Sequence, residues 1–267
     1  MTNIHPTAIV DAKACIADDV EIGPYCTVGP NVTIGKGTRL ISHAVVTGCT
    51  EMGERNTVYP FAAIGTLAQH ARSHAPDAKL IIGDDNTFRE HVTAHVGSDV
   101  DQKITIIGNH NLFLVASHIA HDCVLGNDII MSNNATLAGH VHVEDRAIIG
   151  GLSAVLQFVR IGKGAMIGGM CGIGQDVIPY GIVMGGVRSG LDGLNLVGLR
   201  RAGVEAKLIF NLQKAYQDLF FNKEKSWTER VEDLQNNPEY KDNPLVQDVL
   251  TFVKNPSKYS ILQPAQG

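Results

Sequence analysis

The chain has 267 residues, of which 44% are hydrophobic and 18% charged, and its formal net charge is −5. This slightly acidic balance argues against a nucleic-acid partner, and the lack of an apolar run of about 18 residues argues against a membrane span. The amino terminus has neither a basic segment nor an apolar stretch, so no signal peptide is expected. Five scattered cysteines without a C-x-x-C pair favour a reducing compartment, and we therefore expect a cytoplasmic protein.

An apolar residue recurs at every sixth position of the chain, first from Ile4 to Ile64 and again from Ile107 to Ile173. A period of six fits neither the 3.6-residue turn of an α-helix nor the two-residue alternation of a strand. It is the hexapeptide repeat of a parallel β-helix, in which three hexads form one triangular coil of about 18 residues. Glycine often follows the aliphatic residue, as Gly23 does, which suits a corner that is crowded or that needs an unusual φ.

The repeat divides the chain into segments. Residues 1–179 are predicted to form the β-helix, with external loops at about 66–81 and 97–105 where the count is interrupted. Insertions bulge from the wall of a solenoid and often line a binding face, although simple surface decoration is the alternative. An irregular, glycine-rich connection is expected over 180–198, followed by a C-terminal helical domain over 199–267.

The helical domain carries clear start signals. Apolar residues from Val204 to Phe220 follow helical spacing. The segment Ser226–Glu229 has the form of a capping box that opens a second helix, and Asn243 followed by Pro244 resembles the start of a third. We expect these helices to cap the open end of the solenoid.

Residues eighteen apart should lie above one another on successive coils, and this defines two columns at the corner that follows Ile119. One column holds His121, Gly139, Gln157 and Gln175, and the next holds Asp122, His140, Phe158 and Asp176. A histidine beside a carboxylate is suited to act as a general base, and a glycine N–H can stabilise an oxyanion. Gln157 could donate to a phosphate or carbonyl oxygen. The alternative is that these groups only satisfy the backbone of the corner.

Neither a covalent nucleophile nor a metal is expected in this region. Ser117 points elsewhere by its phase and Cys123 lies beyond the histidine, which favours direct transfer to a bound acceptor. The histidines that could hold a metal are His91, His95, His118, His121, His140 and His142. His118 and His121 differ by three residues in phase, so their side chains should diverge, and we predict no metal site.

Several motifs resemble the UDP-N-acetylglucosamine O-acyltransferases of lipid A biosynthesis, essentially from end to end of the chain. They are His118-Ile-Ala-His-Asp-Cys, Asn133-Asn-Ala-Thr-Leu-Ala-Gly-His-Val, Ile149-Gly-Gly, Gln157-Phe, Gln175-Asp-Val-Ile-Pro-Tyr, Gly193-Leu-Asn and Gly198-Leu-Arg-Arg-Ala-Gly. The resemblance implies a left-handed parallel β-helix, all-β, with a C-terminal α-helical domain. It also implies a homotrimer that binds a nucleotide sugar and an acyl carrier protein between neighbouring prisms.

The resemblance also assigns roles to residues. It implies that His121 is the general base, Asp122 the group that orients it, and the Gly139 amide the oxyanion donor. Substrate-binding or orienting positions are implied for His118, His140, Gln157 and Asn195, and a nucleotide or carrier-protein contact for Arg201. Arg72 replaces a lysine of the first loop, which keeps the charge but changes the geometry.

The chain departs from the family pattern at four positions, which are His70, Val96, Leu156 and Val197. His70 stands where the family has an acidic residue of the first loop, and it is retained as a substrate-binding candidate. These changes bear on sugar recognition more than on acyl transfer. Gly169, with Gly168, is expected to leave space along an acyl groove and to favour a longer chain.

The sequence therefore predicts an enzyme that moves a (3-hydroxy)acyl chain from acyl carrier protein to the 3-hydroxyl of UDP-N-acetylglucosamine. No cofactor is expected, because the acyl chain arrives on the phosphopantetheine of the carrier. A basic excess between Arg200 and Arg230 suits an acidic partner. The alternatives are an N-acyltransferase acting on a 3-amino UDP-sugar and a non-catalytic paralogue that binds nucleotide sugar or carrier protein.

Overall fold

The computed structural model describes residues 2–186, 189–255 and 257–264. Short parallel strands stack into three sheets, and the chain visits the sheets in turn, so that each sheet receives every third strand of the prism. Most neighbouring strands pair residues that are 18 apart, as Ile119 does with Leu137. This is the triangular β-helix that the hexad repeat predicts.

The strands are numbered in chain order. The first sheet contains β1 (Asn3–Ile4), β4 (Glu21–Ile22), β7 (Arg39–Leu40), β10 (Thr57–Val58), β13 (Thr87–Phe88), β16 (Leu112–Phe113), β19 (Ile130–Met131), β22 (Ile148–Ile149), β25 (Met166–Ile167), β27 (Gly181–Met184) and β28 (Gly190–Leu194). The second sheet contains β2 (Ile9–Val10), β5 (Thr27–Val28), β8 (Val45–Val46), β11 (Ala63–Thr66), β14 (Thr93–His95), β17 (His118–Ile119), β20 (Thr136–Leu137), β23 (Ala154–Val155) and β26 (Gly172–Ile173). The third sheet contains β3 (Cys15–Ile16), β6 (Val32–Ile34), β9 (Cys49–Met52), β12 (Lys79–Ile82), β15 (Ile104–Ile107), β18 (Val124–Leu125), β21 (His142–Val143) and β24 (Arg160–Ile161).

The hexad residues fill the interior of the prism, and those from Ile22 onward are buried. The glycines that follow them are required mostly by crowding, because a Cβ on Gly23 would lie 1.8 Å from the carbonyl oxygen of Ile41. The left-handed φ angles occur instead about three residues after the hexad residue, and most of these positions hold residues other than glycine. Asp122 has a φ of 58° and His140 a φ of 63°. These residues are therefore held in a conformation that side chains adopt rarely.

Two insertions leave the wall of the prism at the same corner. The 67–78 loop follows β11, and the 96–103 loop follows β14, so both are slightly shorter than the segments the sequence predicts. The second loop lengthens its coil to 25 residues, as the pairing of Thr93 with His118 shows. Because 25 exceeds 18 by one hexad plus one residue, the apolar count slips by a single position. The ladder continues past both loops, with one register shift between β11 and β14 at Ile64 and Thr66.

A ladder of buried asparagines closes the corner between the third and first sheets. The Asn56 side-chain oxygen accepts from the Asn86 N–H at 2.9 Å, and that of Asn86 accepts from the Asn111 N–H at 2.9 Å. The Asn56, Asn86 and Asn111 amides also donate to glycine carbonyls. Each buried amide is thus satisfied, which fixes the register where the loops lengthen the coils.

The prism ends differently from the prediction. Val177 pairs with Ile161, 16 residues earlier, so the last coil is shorter by two residues and Asp176 lies against Arg160 rather than above Phe158. Asp176 and Gln175 therefore do not extend the predicted columns. The segment 180–198 is not an irregular connection, because β27 and β28 form an antiparallel pair and helix α1 (Leu196–Arg201) begins within it. Val187 and Arg188, between these strands, lie outside the described residues.

Three further helices complete the C-terminal part, namely α2 (Ala206–Phe221), α3 (Trp227–Asn236) and α4 (Pro244–Lys254). The structure confirms the predicted capping box at Ser226 and the Asn243 cap with proline at the first turn. Asp248 of α4 joins the helices to the prism through the Tyr180 hydroxyl and through Lys163, whose Nζ lies 3.1 Å away. Within the described ranges, no helix has the length and apolar character that crossing a membrane requires.

Candidate active site

The site lies at the corner that follows β17. Ile119 is fully buried in the prism, and the chain then turns so that His121 and Asp122 stand side by side. The Nδ1 atom of His121 lies 2.8 Å from Oδ2 of Asp122. An ionised carboxylate can only accept, so Nδ1 carries the proton and Nε2 of the neutral ring is the free basic atom. The corner thus presents one oriented base.

The Asp122 carboxylate is held by the 96–103 loop. The Ser98 N–H donates to both carboxylate oxygens at 3.0 and 3.1 Å, and the Ser98 hydroxyl donates to Oδ2 at 2.5 Å. The Asp122 N–H donates to Oγ1 of Thr105 at 2.8 Å. Burial alone would raise the pKa of the Asp122 carboxyl, but the hydrogen bonds from His121 and Ser98 bring that pKa below its ordinary value. The group is therefore ionised at neutral pH.

His140 occupies the position one coil above Asp122, as the column predicts. Its Nδ1 atom lies 2.7 Å from Oδ2 of Asp101 in the 96–103 loop, and its Nε2 lies 3.9 Å from Oδ2 of Asp122. The ring meets His121 edge to face at 5.1 Å and stacks on Phe158 at 4.3 Å. These contacts fix both His140 and the face of His121.

Gly139 lies directly against the basic edge of His121. A Cβ at this position would be 2.5 Å from Cε1 and 2.7 Å from Nε2 of His121, so no larger residue fits without moving the ring. Within the described chain, the Gly139 N–H has no recorded acceptor, while its carbonyl accepts from the Phe158 N–H. A free amide beside the base is placed to donate to a substrate oxygen.

His118 lies on the outer face of β17 and belongs to a second pair. Its Nδ1 is 2.7 Å from Oγ1 of Thr93, and its ring meets that of His95 at 4.9 Å. Burial lowers the pKa of His95 to about 4 and also lowers the pKa of His118, so both rings are neutral at physiological pH. Nδ1 of His95 is buried without a hydrogen-bond partner among the described residues. The pair presents neutral imidazoles to the site.

The 67–78 loop covers the His121–Asp122 pair. The ring of His70 meets that of His121 at 5.4 Å, edge to face, and His121 is only 3% exposed. Nδ1 of His70 accepts from the Arg72 N–H at 3.3 Å, while the Arg72 side chain is exposed. The two loops are tied together, since Asp99 accepts from the His74 N–H and Asp77 pairs with Lys103. His70 is thus part of the site, and Arg72 lies at its rim.

The other predicted site residues make no direct contact with His121 in the part of the chain that the structure describes. Gln157 is exposed on the same corner as His121, between the second and third sheets. Gly169 is exposed two hexads later in the chain, at the corner between the first and second sheets. Asn195 caps α1, because its Oδ1 accepts from the Gly198 N–H and its Nδ2 donates to the Gly164 carbonyl, so both ends of its amide are engaged. Arg201 is exposed in the last turn of α1. The substrate contacts implied for these residues remain predictions.

The departures from the family pattern fall into different environments. Val96 is 1% exposed and packs within the core, so it fills space rather than contacting substrate. Leu156 and Val197 are 49% and 54% exposed, respectively.

The two glycines predicted to line an acyl groove differ in their surroundings. A Cβ on Gly168 would lie 2.6 Å from Sδ of Met184, so Gly168 does not open onto a groove. A Cβ on Gly169 would meet only the Gly151 carbonyl oxygen, at 3.3 Å. Only Gly169 of the two therefore offers surface to an acyl chain.

A metal ion is the rival occupant of the corner. His121, Asp122 and His140 each have a potential ligand atom within 4.8 Å of the others. However, His121 and Asp122 are bonded to one another directly, and Nδ1 of His140 is taken by Asp101. These bonds occupy Nδ1 of both rings but leave Nε2 of both rings without a hydrogen bond among the described residues, so the absence of a metal stays a prediction from the sequence.

The residues missed from the sequence are Ser98 and Asp101 of the second loop and Thr105 of β15, the strand that follows this loop. The one-residue slip of the hexad count marked this insertion, and its coil immediately precedes that of His121. A loop that leaves a solenoid at the catalytic corner can reach only the neighbouring coils. From this limited reach, the polar side chains of the loop can be predicted as partners of Asp122 and His140.

Comparisons with known proteins agree with this site. The family model described as UDP-N-acetylglucosamine O-acyltransferase, domain 2, matches residues 176–262, and that of the bacterial transferase hexapeptide matches residues 1–36. The acyl-[acyl-carrier-protein]–UDP-N-acetylglucosamine O-acyltransferase of Sinorhizobium fredii is 45% identical over 99% of this chain and 96% of its own length. That of Thermodesulfovibrio yellowstonii is 50% identical over 84% and 86%.

Solved structures give the same result. The UDP-N-acetylglucosamine O-acyltransferase of Moraxella catarrhalis superposes with a TM-score of 0.92 at 40% identity, covering 97% of this chain and 99% of that one. The predicted fold class, a left-handed parallel β-helix with a C-terminal helical domain, is confirmed. The likeness extends through both loops and the helices.

Proposed function

This chain belongs to the UDP-N-acetylglucosamine O-acyltransferase family, and we propose that it transfers a (3-hydroxy)acyl chain from acyl carrier protein to the 3-hydroxyl of UDP-N-acetylglucosamine. This would be the first step of lipid A biosynthesis. The observation that carries the proposal is the oriented His121–Asp122 pair beside the free Gly139 amide.

The proposed reaction needs only these groups. Nε2 of His121 takes the proton of the sugar hydroxyl while its oxygen attacks the thioester carbonyl carbon. The Asp122 carboxylate stabilises the imidazolium that forms, and the Gly139 N–H donates to the developing oxyanion. Collapse of the tetrahedral intermediate breaks the C–S bond, and the proton on His121 passes to the departing thiolate. No cofactor takes part.

Direct transfer is favoured over a covalent enzyme intermediate. Cys123, the thiol nearest to the pair in sequence, is fully buried and donates to the Ala138 carbonyl at 3.2 Å. Burial raises the pKa of this thiol to about 12, so it is not a thiolate at neutral pH. The Ser117 hydroxyl is likewise buried in the prism. Neither group can reach a thioester.

The second candidate is N-acylation of a 3-amino UDP-sugar. The observation that favours it is the His70 ring over His121, where the family has an acidic residue. An imidazole in place of a carboxylate removes an anionic group that would hold the acceptor amine as a cation, and an amine must be neutral to attack a thioester. The non-catalytic alternative has less support, because the base, its carboxylate and the glycine are all in place.

The proposed assembly is a homotrimer in the cytoplasm with acyl carrier protein as partner. Support for assembly comes from apolar and aromatic side chains that stand exposed along the corner between the first and second sheets. They include the row of rings in contact formed by Tyr25, His43, Phe61 and His91, followed by Leu152 and Met170. An exposed stripe of this kind is typical of an interface between proteins. Five free cysteines fit a reducing compartment.

The test is an acyl-transfer assay with UDP-N-acetylglucosamine and its 3-amino analogue, each with a panel of 3-hydroxyacyl carrier proteins. We expect an ester product, and we expect His121→Ala to lower kcat/KM by roughly 10²–10⁴-fold, the usual contribution of a general base. Preference for the amino sugar would establish the second candidate. Activity that survives the substitution would overturn the mechanism, and no turnover of either sugar by the wild type would overturn the function.

A further inference from the structure

A lysine from the C-terminal segment lies against the catalytic corner. Nζ of Lys258 is 3.7 Å from the centre of the Phe158 ring. Phe158 in turn stacks on His140, with the two ring planes only 7° apart, and His140 contacts His121. The ammonium is therefore separated from the catalytic histidine by two stacked rings.

The segment that carries Lys258 is fixed to the prism rather than free. The Asp176 N–H donates to the Ser260 carbonyl at 3.1 Å, and the Leu262 N–H donates to the Asp176 carbonyl at 2.8 Å. Nε2 of Gln175 donates to Oγ of Ser260 at 2.6 Å. These bonds lie two and four residues beyond Lys258, so the backbone directs this side chain towards the corner.

The charge of Lys258 is not neutralised by its own chain. Across 2–186, 189–255 and 257–264, no carboxylate forms an ion pair with it, whereas Lys103 and Lys163 have Asp77 and Asp248. The aromatic faces attract the ammonium, but such a contact at an exposed site contributes only about 0.5–1 kcal/mol. An unpaired cation held beside an active site is suited to bind an anionic part of a substrate.

We propose that Lys258 binds a phosphate group of one of the two substrates, an inference that rests on the proposed function. Both substrates supply this chemistry. The nucleotide sugar has a diphosphate, and the acyl donor has the phosphodiester of its phosphopantetheine arm. A lysine ammonium donates to phosphate oxygens as a point charge. Gln157, next to Phe158, is exposed, so this corner is accessible to a substrate.

The experiment compares wild type with Lys258→Gln and Lys258→Arg in steady-state kinetics, varying each substrate separately. Lys254→Gln is the matched control, because Lys254 lies four residues away and contacts only Gln235 in the described structure. We expect Lys258→Gln to raise KM for one substrate by roughly tenfold with kcat nearly unchanged, which is the effect of losing one charge-assisted hydrogen bond. Lys258→Arg should retain most of the affinity, and the control should match wild type.

The arms of the experiment identify the phosphate. A rise confined to UDP-N-acetylglucosamine assigns the diphosphate, and a rise confined to the carrier protein assigns the donor. In the second case acyl-pantetheine, which lacks the phosphate, should be used equally well by wild type and Lys258→Gln, and an unequal use would contradict the assignment. KM values unchanged for both substrates, in a variant that melts like wild type, overturn the inference. Wild-type turnover in the same assay tests the proposed function separately.

Discussion

Nδ1 of His121 lies 2.8 Å from Oδ2 of Asp122, and both side chains are almost fully buried. This contact decides which imidazole nitrogen is basic. In Asp122→Asn the amide can present an N–H to Nδ1, which favours the tautomer whose Nε2 carries the proton. We expect kcat/KM to fall by roughly 10²–10⁴-fold with the melting temperature little changed. Activity within a few-fold of wild type would show that Asp122 does not set the tautomer.

The Ser98 hydroxyl is predicted to keep Asp122 ionised and in place. Ser98→Ala removes a 2.5 Å hydrogen bond but leaves the Ser98 N–H as a donor. We expect roughly a tenfold fall in kcat/KM, because hydrogen bonds to charged groups are worth about 1.5–3 kcal/mol. Losing a donor also raises the pKa of the Asp122 carboxyl.

Two further readouts separate positioning from a structural role for Ser98. The acid limb of the pH–rate profile should move to higher pH in Ser98→Ala, which loss of packing alone would not produce. Ser98→Thr should restore both the rate and the profile. A profile of unchanged shape in Ser98→Ala would contradict the positioning role.

Gly139→Ala should disable the site without unfolding the prism. The new methyl group would lie 2.5 Å from Cε1 of His121, so the imidazole must move away from the oxyanion position. We expect at least a hundredfold loss of kcat, because a displaced imidazole loses the contribution of a general base, which is roughly 10²–10⁴-fold. Gly174→Ala is the control, because the nearest atom to its methyl group is Cδ2 of Leu156 at 4.0 Å. Equal activity in the two variants would show that the methyl group does not displace the His121 imidazole.

His95 is expected to make the fold sensitive to acid. Its pKa is lowered to about 4 by burial, against 6.5 for an ordinary histidine, so between these values the unfolded chain binds a proton that the folded chain does not. The free energy of unfolding must therefore fall as the pH falls from 6.5 towards 4. At pH 5 the loss from this one group is on the order of 2 kcal/mol.

Urea unfolding of wild type and His95→Phe at pH 8, 6 and 5 measures this effect. Phenylalanine keeps the ring volume and removes the buried nitrogen that has no partner. The stability of the variant relative to wild type should rise as the pH falls. Parallel curves across the three pH values would exclude His95 as the source.

Gly169 is predicted to set acyl-chain length. Its surface is exposed beside the exposed side chains of Met166 and Met170, so a larger residue would shorten the space available to an acyl chain. Gly169→Met should shift the preferred donor towards shorter chains, and Gly169→Ala should give an intermediate profile. The measurement is product formation from a panel of carrier proteins with different acyl lengths. An unchanged profile in Gly169→Met would sink this hypothesis.

The periodic part of the molecule was predictable because a buried position in a solenoid recurs at a fixed spacing. Subtraction by eighteen placed Gly139 against His121 and His140 beside Asp122, and the structure has both contacts. The same arithmetic was wrong for Asp176, because the last coil is two residues shorter than the others. The apolar pattern does not indicate that this corner lacks two residues.

The contacts made by the loops could not be read from the repeat. Ser98 and Asp101 reach the site from an insertion whose path depends on side-chain hydrogen bonds rather than on periodicity. The sequence predicts an irregular connection over 180–198, because the glycines of this segment obscure a strand pair that is held by backbone hydrogen bonds. Local packing decided these features, and a single sequence contains little trace of it.

The shortened last coil makes the two ends of the prism unequal. At its carboxyl end the strand pair and the helices cover the open edge, while at the other end the hexad residue Ile4 is 44% exposed. In a stack where each coil contacts only its neighbours, melting starts from the less protected end and proceeds inward. His118 and Ile119 form the sixth strand of their sheet counted from that end, so five strands lie between them and the fraying edge. The first coils can therefore fray and re-form while the catalytic corner remains assembled.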